Sequence, residues 1–462
     1  MTIDKLLNPR SIAVIGASRD EKSVGYGILK SLVSGGVLKD DFCKPFAGEV
    51  YAINPNPGEV LGRQLLPSIT AVKGSVDLAV IAVPAKVVPA VLEECGKKGV
   101  RAAIIVSAGF KEIGEEGRRL EEQVLAIAKK RKIRFVGPNC LGVIRTRNSL
   151  NASFAPTMPP SGDIAFISQS GALADSIIDW VVEERYGFSV LASIGNAADL
   201  DIADFLLWLG KDKDTKAIVI YLEGMKDGRR FLDAARAIAR KKPIIVLKGG
   251  RTERGQHAIS SHTGSLAGSF EVYKAAMKQA GIVLADTVEE LFDLGKTLAH
   301  QPACKENCVA IVTNGGGCGV LCADYCEELG VKLAELTPET LKKLDSSGKM
   351  HPAYSRANPL DIIGDALPER YDVAINTLLS EPYIQGLIVI QTLQTMTHPV
   401  DDAMIVINAR KRFPKKPVVC LYMGGIYTRE AGRLLEANGI PNMNDPRKAA
   451  VAMKALVERG RR

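Results

Sequence analysis

Short apolar runs recur along the chain. Each ends in a glycine-bearing or small polar loop and is followed by a stretch with apolar residues three and four apart. Such alternation predicts parallel strands, each covered by an amphipathic helix, and therefore open α/β sheets. In the first third the predicted strands are SIAVIGAS, EVYAINPN, LAVIAVP, AAIIVSAG and IRFVGPN. Between them lie helical patterns such as AKVVPAVLEECGKKG. Polar and proline breaks in RNSLNASFAPTMPP, residues 147–160, read as a linker. A second series runs from DIAFISQSGALADS through SVLASIGNAADLD, AIVIYLEG and PIIVLKGG to the helices FEVYKAAMKQAGI and TVEELFDLGKTLA. HQPACKEN reads as a second linker, after which CVAIVTNGGGCGVL, GLIVIQTL and PVVCLYMGG make a third series. The expected organisation is three α/β modules over residues 1–146, 147–300 and 301–462, each opening with strand, glycine loop and helix.

Composition changes this picture little. The 462 residues are 46% hydrophobic and 24% charged, enough to bury large cores. No apolar run reaches the ~18 residues of a membrane span, and MTIDKLLNPRSIAVIGAS lacks a signal-peptide layout. A soluble cytoplasmic protein is the expectation, with no membrane association. The formal charge of +8 is spread out; only the tail RKAAVAMKALVERGRR is visibly basic, at the spacing of a solvated helix face rather than a nucleic-acid patch. Cys318, Cys322 and Cys326 fall on one helical stripe. With no CxxC pair or nearby histidine they read as small core residues, so no metal site is expected.

Candidate chemistry gathers in loops after strands, where ligands bind in open α/β sheets and helix N-termini offer free N–H groups to phosphate. GASRDEKSVGYGI lacks the GxGxxG spacing of a dinucleotide site, although Ser18, Lys22 and Ser23 are placed to touch a phosphate-bearing ligand. ISQSGALADS brings Ser170 to a helix start at Gly171, either as a phosphate cradle or as a plain N-cap. In TNGGGCGVL three glycines allow close approach of a ligand or a neighbouring chain. No GxxxxGK[ST] nucleotide loop is present. His262, one of five histidines, sits among small residues in SSHTGSLAGS, which suggests a loop with room to swing on Gly264 and Gly268. If the strand ending at Glu223 lies beside the one preceding this loop, Glu223, His262 and Ser170 share one sheet edge. A carboxylate on one imidazole nitrogen fixes the tautomer and makes the other nitrogen a better nucleophile, as a phosphohistidine site needs. His257 offers a weak second metal ligand, and the GxSxG elbow of a serine hydrolase is missing.

Taken in order, SIAVIGAS, YAINPN, AVIAVPA, GPNCLGV, SQSGA, IGNAADLD, YLEG, SHTGSLAG and NPLDI resemble the alpha subunits of ADP-forming acetyl-CoA synthetases (ADP-forming acetate–CoA ligases) over essentially the whole chain. These belong with succinyl-CoA synthetase to the nucleoside-diphosphate-forming acyl-CoA synthetase superfamily. The resemblance implies an N-terminal Rossmann-type CoA-binding domain followed by two flavodoxin-like succinyl-CoA-synthetase-type domains. It implies an acid–thiol ligase that converts acyl-CoA, ADP and phosphate to carboxylic acid, ATP and CoA through an acyl phosphate and a phosphohistidine. It also implies an ATP-grasp beta subunit that binds ADP or ATP with Mg2+, typically in an α2β2 heterotetramer. By this likeness His262 is the phosphorylated histidine, in preference to His257, and Glu223 its supporting carboxylate. Ser170 and Gly171 hold phosphate. Gly16, Ser18, Asn54, Pro55, Val83, Pro84 and Ser107 lie in the CoA-contacting loops, and Asn139 lies near the thioester. The same chemistry on another acid (succinate, aryl or branched-chain), or a CoA-binding regulatory protein without catalysis, are the alternatives left open.

Overall fold

The computed structural model describes residues 2–184, 186–263 and 269–461, with the backbone alone for residues 2, 183, 184 and 260–263. Two compact units result, Met1–Asp286 and Thr287–Arg462. The first unit carries two seven-stranded sheets and the second one five-stranded sheet.

The first sheet holds β1 (Ser11–Ile15), β2 (Glu49–Ile53), β3 (Glu59–Val60), β4 (Arg63–Leu66), β5 (Leu78–Ile81), β6 (Ala102–Ile105) and β7 (Arg134–Val136) in the order β3-β4-β2-β1-β5-β6-β7. Only the short β3–β4 pair is antiparallel. β1, β5 and β6 are buried at every position. Continuous Val, Ile and Ala runs are what a parallel sheet covered on both faces requires. Helices pack on either side: Tyr26, Ile28 and Leu29 from the helix Val24–Ser34 on one, Val88, Leu92 and Cys95 from Val88–Lys98 on the other.

The second sheet holds β8 (Gly142–Arg145), β9 (Leu150–Ser153), β10 (Ser161–Ser168), β11 (Phe188–Ser193), β12 (Ala217–Leu222), β13 (Ile244–Lys248) and β14 (Val283–Ala285) in the order β14-β13-β12-β10-β11-β8-β9. β8 and β9 form an antiparallel edge on an otherwise parallel sheet. Leu150–Ser153 is therefore not linker. Its Asn151 and Ser153 look like loop residues but are fully buried and bonded: Asn151 Nδ2 donates to Gly35 O and Thr157 O, each at 3.4 Å, and Ser153 Oγ donates to Asn151 Oδ1 at 2.6 Å. A polar residue whose hydrogen bonds are met inside the protein carries no turn signal of its own.

The second unit has β15 (Val309–Thr313), β16 (Leu360–Asp361), β17 (Gly386–Thr392), β18 (Val418–Met423) and β19 (Asn442–Met443), all parallel, in the order β16-β15-β17-β18-β19. Cys322 and Cys326, on the helix Gly316–Glu328, are fully buried as expected, whereas Cys318 on the same helix is only half-buried and is not a core residue. The basic tail forms the helix Pro446–Gly460, whose alanines and Met453 are buried. Among the described residues no helix is long and apolar enough to cross a membrane.

Candidate functional site

In the first sheet the strand order reverses at β1, which is flanked by β2 and β5. Ligand crevices of open α/β sheets lie beyond the strand ends at such a point. Gly16 ends β1 with φ +95°, and a Cβ there would stand 2.2 Å from Ala82 O, so only glycine fits. The neighbouring strand ends are tied across this opening. Asn54 Nδ2 donates to Ala17 O at 2.7 Å, Ser107 Oγ to Val83 O at 2.5 Å, and the Asn139 amide to Ser107 O at 2.9 Å. Ser18 Oγ accepts from the Asp20 amide at 3.0 Å. Pro55 and Pro84 are exposed beside it. Gly16, Ser18, Asn54, Val83, Ser107 and Asn139 thus surround the β1 switch point.

The second sheet reverses at β10, between β11 and β12. Ser168 Oγ donates to Ser170 O at 2.7 Å and accepts from the Ser170 amide at 3.1 Å, which curls the loop. Ser170 Oγ then accepts from the Leu173 amide at 3.3 Å, capping the helix Gly171–Glu184. A Cβ on Gly171 would meet its nearest neighbours at 3.7 Å, so spacing does not demand glycine there. Gln169 links this loop to the end of β12. Its Oε1 accepts from the amides of Glu223 at 2.6 Å and Gly224 at 3.1 Å, while its Nε2 donates to Gly224 O at 2.9 Å. Ser170 and Glu223 are therefore neighbours on one sheet edge, and the side chain that joins them is a residue whose role sequence patterning leaves unassigned.

Two ionisable partners of Glu223 were equally unassigned. Tyr221 is hydrogen-bonded to Glu223, and burial first, then the Glu223 charge and that bond, pushes its hydroxyl up to about 12. Lys248, at the end of β13, is 2% exposed. Its Nζ donates to Glu223 O at 2.7 Å and lies 4.9 Å from the centre of the Tyr273 ring. Burial lowers its pKa, and the Glu223 charge opposes that shift. A buried lysine in VLKGG reads as a strand terminus in sequence; a hydrophobic run ending in an ammonium group was the available signal.

After β13 the chain enters the helix Glu253–Thr263. Ser260–Thr263, expected as a loop, is the last turn of this helix. The His262 side chain, Gly264 and Gly268 lie outside what is described. His257 is exposed on the same helix. Positions five apart on an α-helix are about 140° apart around its axis, so His257 and His262 occupy different sides. The helix passes within 8 Å of the turn Lys111–Ile113.

In the second unit the TNGGGCG loop ends β15. Asn314, 1% exposed, bonds the Thr392 amide and hydroxyl through Oδ1 and Thr392 O through Nδ2. A Cβ on Gly315 would stand 2.6 Å from Thr392, and one on Gly316 would stand 2.7 Å from Asp361. Two of the three glycines therefore answer to neighbouring strands, and Gly317 alone faces open space. Among the described residues no group of three or more His, Cys, Asp or Glu could hold a metal ion.

Comparison with known proteins bears on this arrangement. Residues 10–146 match the CoA binding domain family, 161–298 the succinyl-CoA ligase like flavodoxin domain, and 309–459 the ligase-CoA domain. The chain is 43% identical to the alpha subunit of acetate–CoA ligase [ADP-forming] II of Pyrococcus furiosus, covering 99% of this chain and 98% of that one. It is 43% identical to acetate–CoA ligase [ADP-forming] I of Archaeoglobus fulgidus, but spans only 63% of that longer protein. Among solved structures, the dinucleotide-forming acetyl-coenzyme A synthetase 1 of Ca. Korarchaeum cryptofilum, in complex with phosphate and ADP, superposes with a TM-score of 0.92 at 38% identity, covering 100% of this chain and 97% of that one.

Proposed function

The chain belongs to the ADP-forming acetate–CoA ligases, corresponding to their alpha subunit, and from that membership we propose that it releases CoA from an acyl-CoA and passes phosphate to ADP by way of His262. Phosphate held at the Ser170–Gly171 helix start attacks the thioester carbonyl. The C–S bond breaks, CoA leaves as the thiol once protonated, and an acyl phosphate forms. An imidazole nitrogen of His262 then attacks phosphorus, the bond to the acyl oxygen breaks, and the carboxylic acid leaves. ADP finally takes the phosphoryl group from nitrogen. This last step is assigned to an ATP-grasp beta subunit that binds ADP with Mg2+, in an α2β2 assembly.

The observation that carries this reading is the Gln169 bridge, which holds the phosphate-facing loop and the Glu223 backbone together at the β10 switch point. Preorganised groups of this kind supply most of what phosphoryl transfer asks of a protein, namely position and charge. Glu223 is assigned to fix the imidazole tautomer, and Lys248 and Tyr221 to hold Glu223 in place. The loops at the β1 switch point take CoA: Gly16 lets the main chain approach closely, and Ser18, Asn54, Pro55, Val83, Pro84 and Ser107 line the approach. Asn139 stands at the thioester end.

The test is stoichiometry. The chain combined with its ATP-grasp partner, given acetyl-CoA, ADP and phosphate, should yield CoA and ATP in equal amounts, and neither protein should do so alone. CoA release without ATP overturns the reading.

A further inference from the structure

The loop after β11 carries Asn196, which is 8% exposed and has every polar atom bonded. Its Nδ2 donates to Glu112 Oε2 at 2.7 Å and to Glu121 Oε2 at 2.9 Å. Glu112 lies in the turn Lys111–Ile113 and Glu121 in the helix Glu115–Arg131, so both carboxylates come from the chain after β6. The other oxygen of Glu112 accepts from the amides of Gly109 at 2.6 Å and Phe110 at 3.0 Å. Burial pushes the Glu112 carboxyl up, but the bonds from Asn196, Phe110 and Gly109 outweigh it and hold the group below the usual carboxylate range. Lys111 Nζ donates to Asn196 O at 2.8 Å and brings a positive charge to the pair.

A carboxylate oxygen can only accept. Two of them on one side of Asn196 therefore fix its amide, with nitrogen toward the carboxylates and oxygen away. That oxygen accepts from Asn139 Nδ2 at 3.4 Å. The orientation is thus passed on, because Asn139 must turn its own nitrogen toward Asn196. A carboxamide nitrogen carries two hydrogens. Among the described residues the second hydrogen of Asn139 Nδ2 meets no acceptor. Asn139 is only half-buried and stands at the β1 crevice.

The main chain holds both asparagines to this arrangement. Asn139 has φ +57°, a left-handed conformation that asparagine tolerates, and its amide bonds Ser107 O at 2.9 Å. Gly195 presses on it: with φ +52°, a Cβ there would stand 2.1 Å from Asn139 O. Ala197, on the other side of Asn196, has φ +48°, which is unfavourable for alanine and persists where surrounding structure enforces it. Here the Ala197 amide bonds Ile194 O at 3.0 Å and Lys226 Nζ donates to Ala197 O at 3.1 Å.

We propose that Glu112, Glu121 and Asn196 are positioning residues that turn the Asn139 carboxamide so that its free N–H donates to the thioester carbonyl oxygen. The proposal rests on the assignment of Asn139 to the thioester end in the reaction proposed above. As a phosphate oxygen bonds to the carbonyl carbon, the π pair of C=O moves onto oxygen, and this oxyanion accepts from Asn139. When the pair returns, the C–S bond breaks and CoA leaves as the thiolate. A donor set in place before the charge develops needs no reorganisation at that moment. With its amide reversed, Asn139 would present oxygen and repel the developing charge.

The test takes infrared spectra of acetyl-CoA, isotope-labelled at the carbonyl carbon, bound to the chain with its ATP-grasp partner in the absence of phosphate. Wild type should move the carbonyl stretch to lower frequency than in free acetyl-CoA. Asn139→Ala should abolish the shift and lower kcat about 10²–10³-fold, the scale of losing one oxyanion donor. Asn196→Ala should weaken the shift and lower kcat about 10–100-fold by misplacement, with KM for acetyl-CoA within about threefold. Glu112→Gln combined with Glu121→Gln lets either end of an amide face Asn196. That double variant should behave as Asn196→Ala does, and serves if the latter does not fold. A bound acetyl-CoA whose carbonyl is unshifted in wild type overturns the proposal. So does a shift retained in Asn139→Ala, or a wild-type shift and kcat in the Asn196→Ala and double variants. Failure of wild type to bind acetyl-CoA would remove the CoA assignment itself, a result distinct from a bound thioester with an unshifted carbonyl.

Discussion

The crevice at the end of β1 and the crevice at the end of β10 share a plan and differ in what furnishes them. Each opens where the strand order reverses. Around β1 the polar side chains that tie the strand ends are neutral: Asn54 and Ser107. Around β10 they include a buried lysine, a carboxylate, and a tyrosine whose hydroxyl is pushed up to about 12. Ionisable groups withdrawn from water are costly and are found where their charge is used. Under the proposed function, the contrast corresponds to a surface that grips a ligand and one that reacts with it, within a single unit of the chain.

That separation is open to disruption from either side. The largest effect is expected from Glu223→Gln, which should slow phosphoryl transfer by about 10²–10⁴-fold, the usual range for losing an acid–base partner, and leave KM for CoA within about threefold. Next is Gln169→Leu, which strands the amides of Glu223 and Gly224 at about 1–3 kcal/mol each if they stay dry. It should lower kcat by about 10–100-fold through misplacement, with a smaller change in KM. Gly16→Ala acts on the other crevice. Its Cβ collides with Ala82 O, so KM for CoA should rise about tenfold and stability fall by about 1–3 kcal/mol, read by steady-state kinetics and thermal melting. The smallest is Asn54→Ala, which loses the bond to Ala17 O at about 1 kcal/mol and should raise KM for CoA a few-fold, about 3–5 times. If Glu223→Gln moves KM for CoA as much as Gly16→Ala does, the two crevices are not functionally separate.

Much of this was legible in the sequence because parallel strands buried on both faces leave a strong signal. Ile12–Ile15, Leu78–Ile81 and Ala102–Ile105 are unbroken apolar runs and lie in strands without an exposed position. The neighbourhood of Ser170 and Glu223 followed from strand ends alone. What stayed hidden depends on partners distant in sequence. Asn151 and Ser153 look like linker and are buried in β9, satisfied by Gly35, Thr157 and each other. Gln169 earns its place through Glu223 and Gly224, more than fifty residues away. The tight packing of Gly315 and Gly316 is set by Thr392 and Asp361, where the triplet alone suggests close approach of a ligand or a neighbouring chain. The end of the helix Glu253–Thr263 lies in a run of small residues, SSHTGSLAGS, which suggests a loop when the sequence is taken alone.

The central claim is that phosphate rests covalently on His262 beside Glu223. Incubating the chain and its ATP-grasp partner with acetyl-CoA and labelled phosphate, then mapping the label by mass spectrometry, tests it most directly. An acid-labile, base-stable phosphoryl group on His262, absent from His262→Ala and retained in His257→Ala, is the predicted result. Label that survives His262→Ala and disappears from His257→Ala would contradict it.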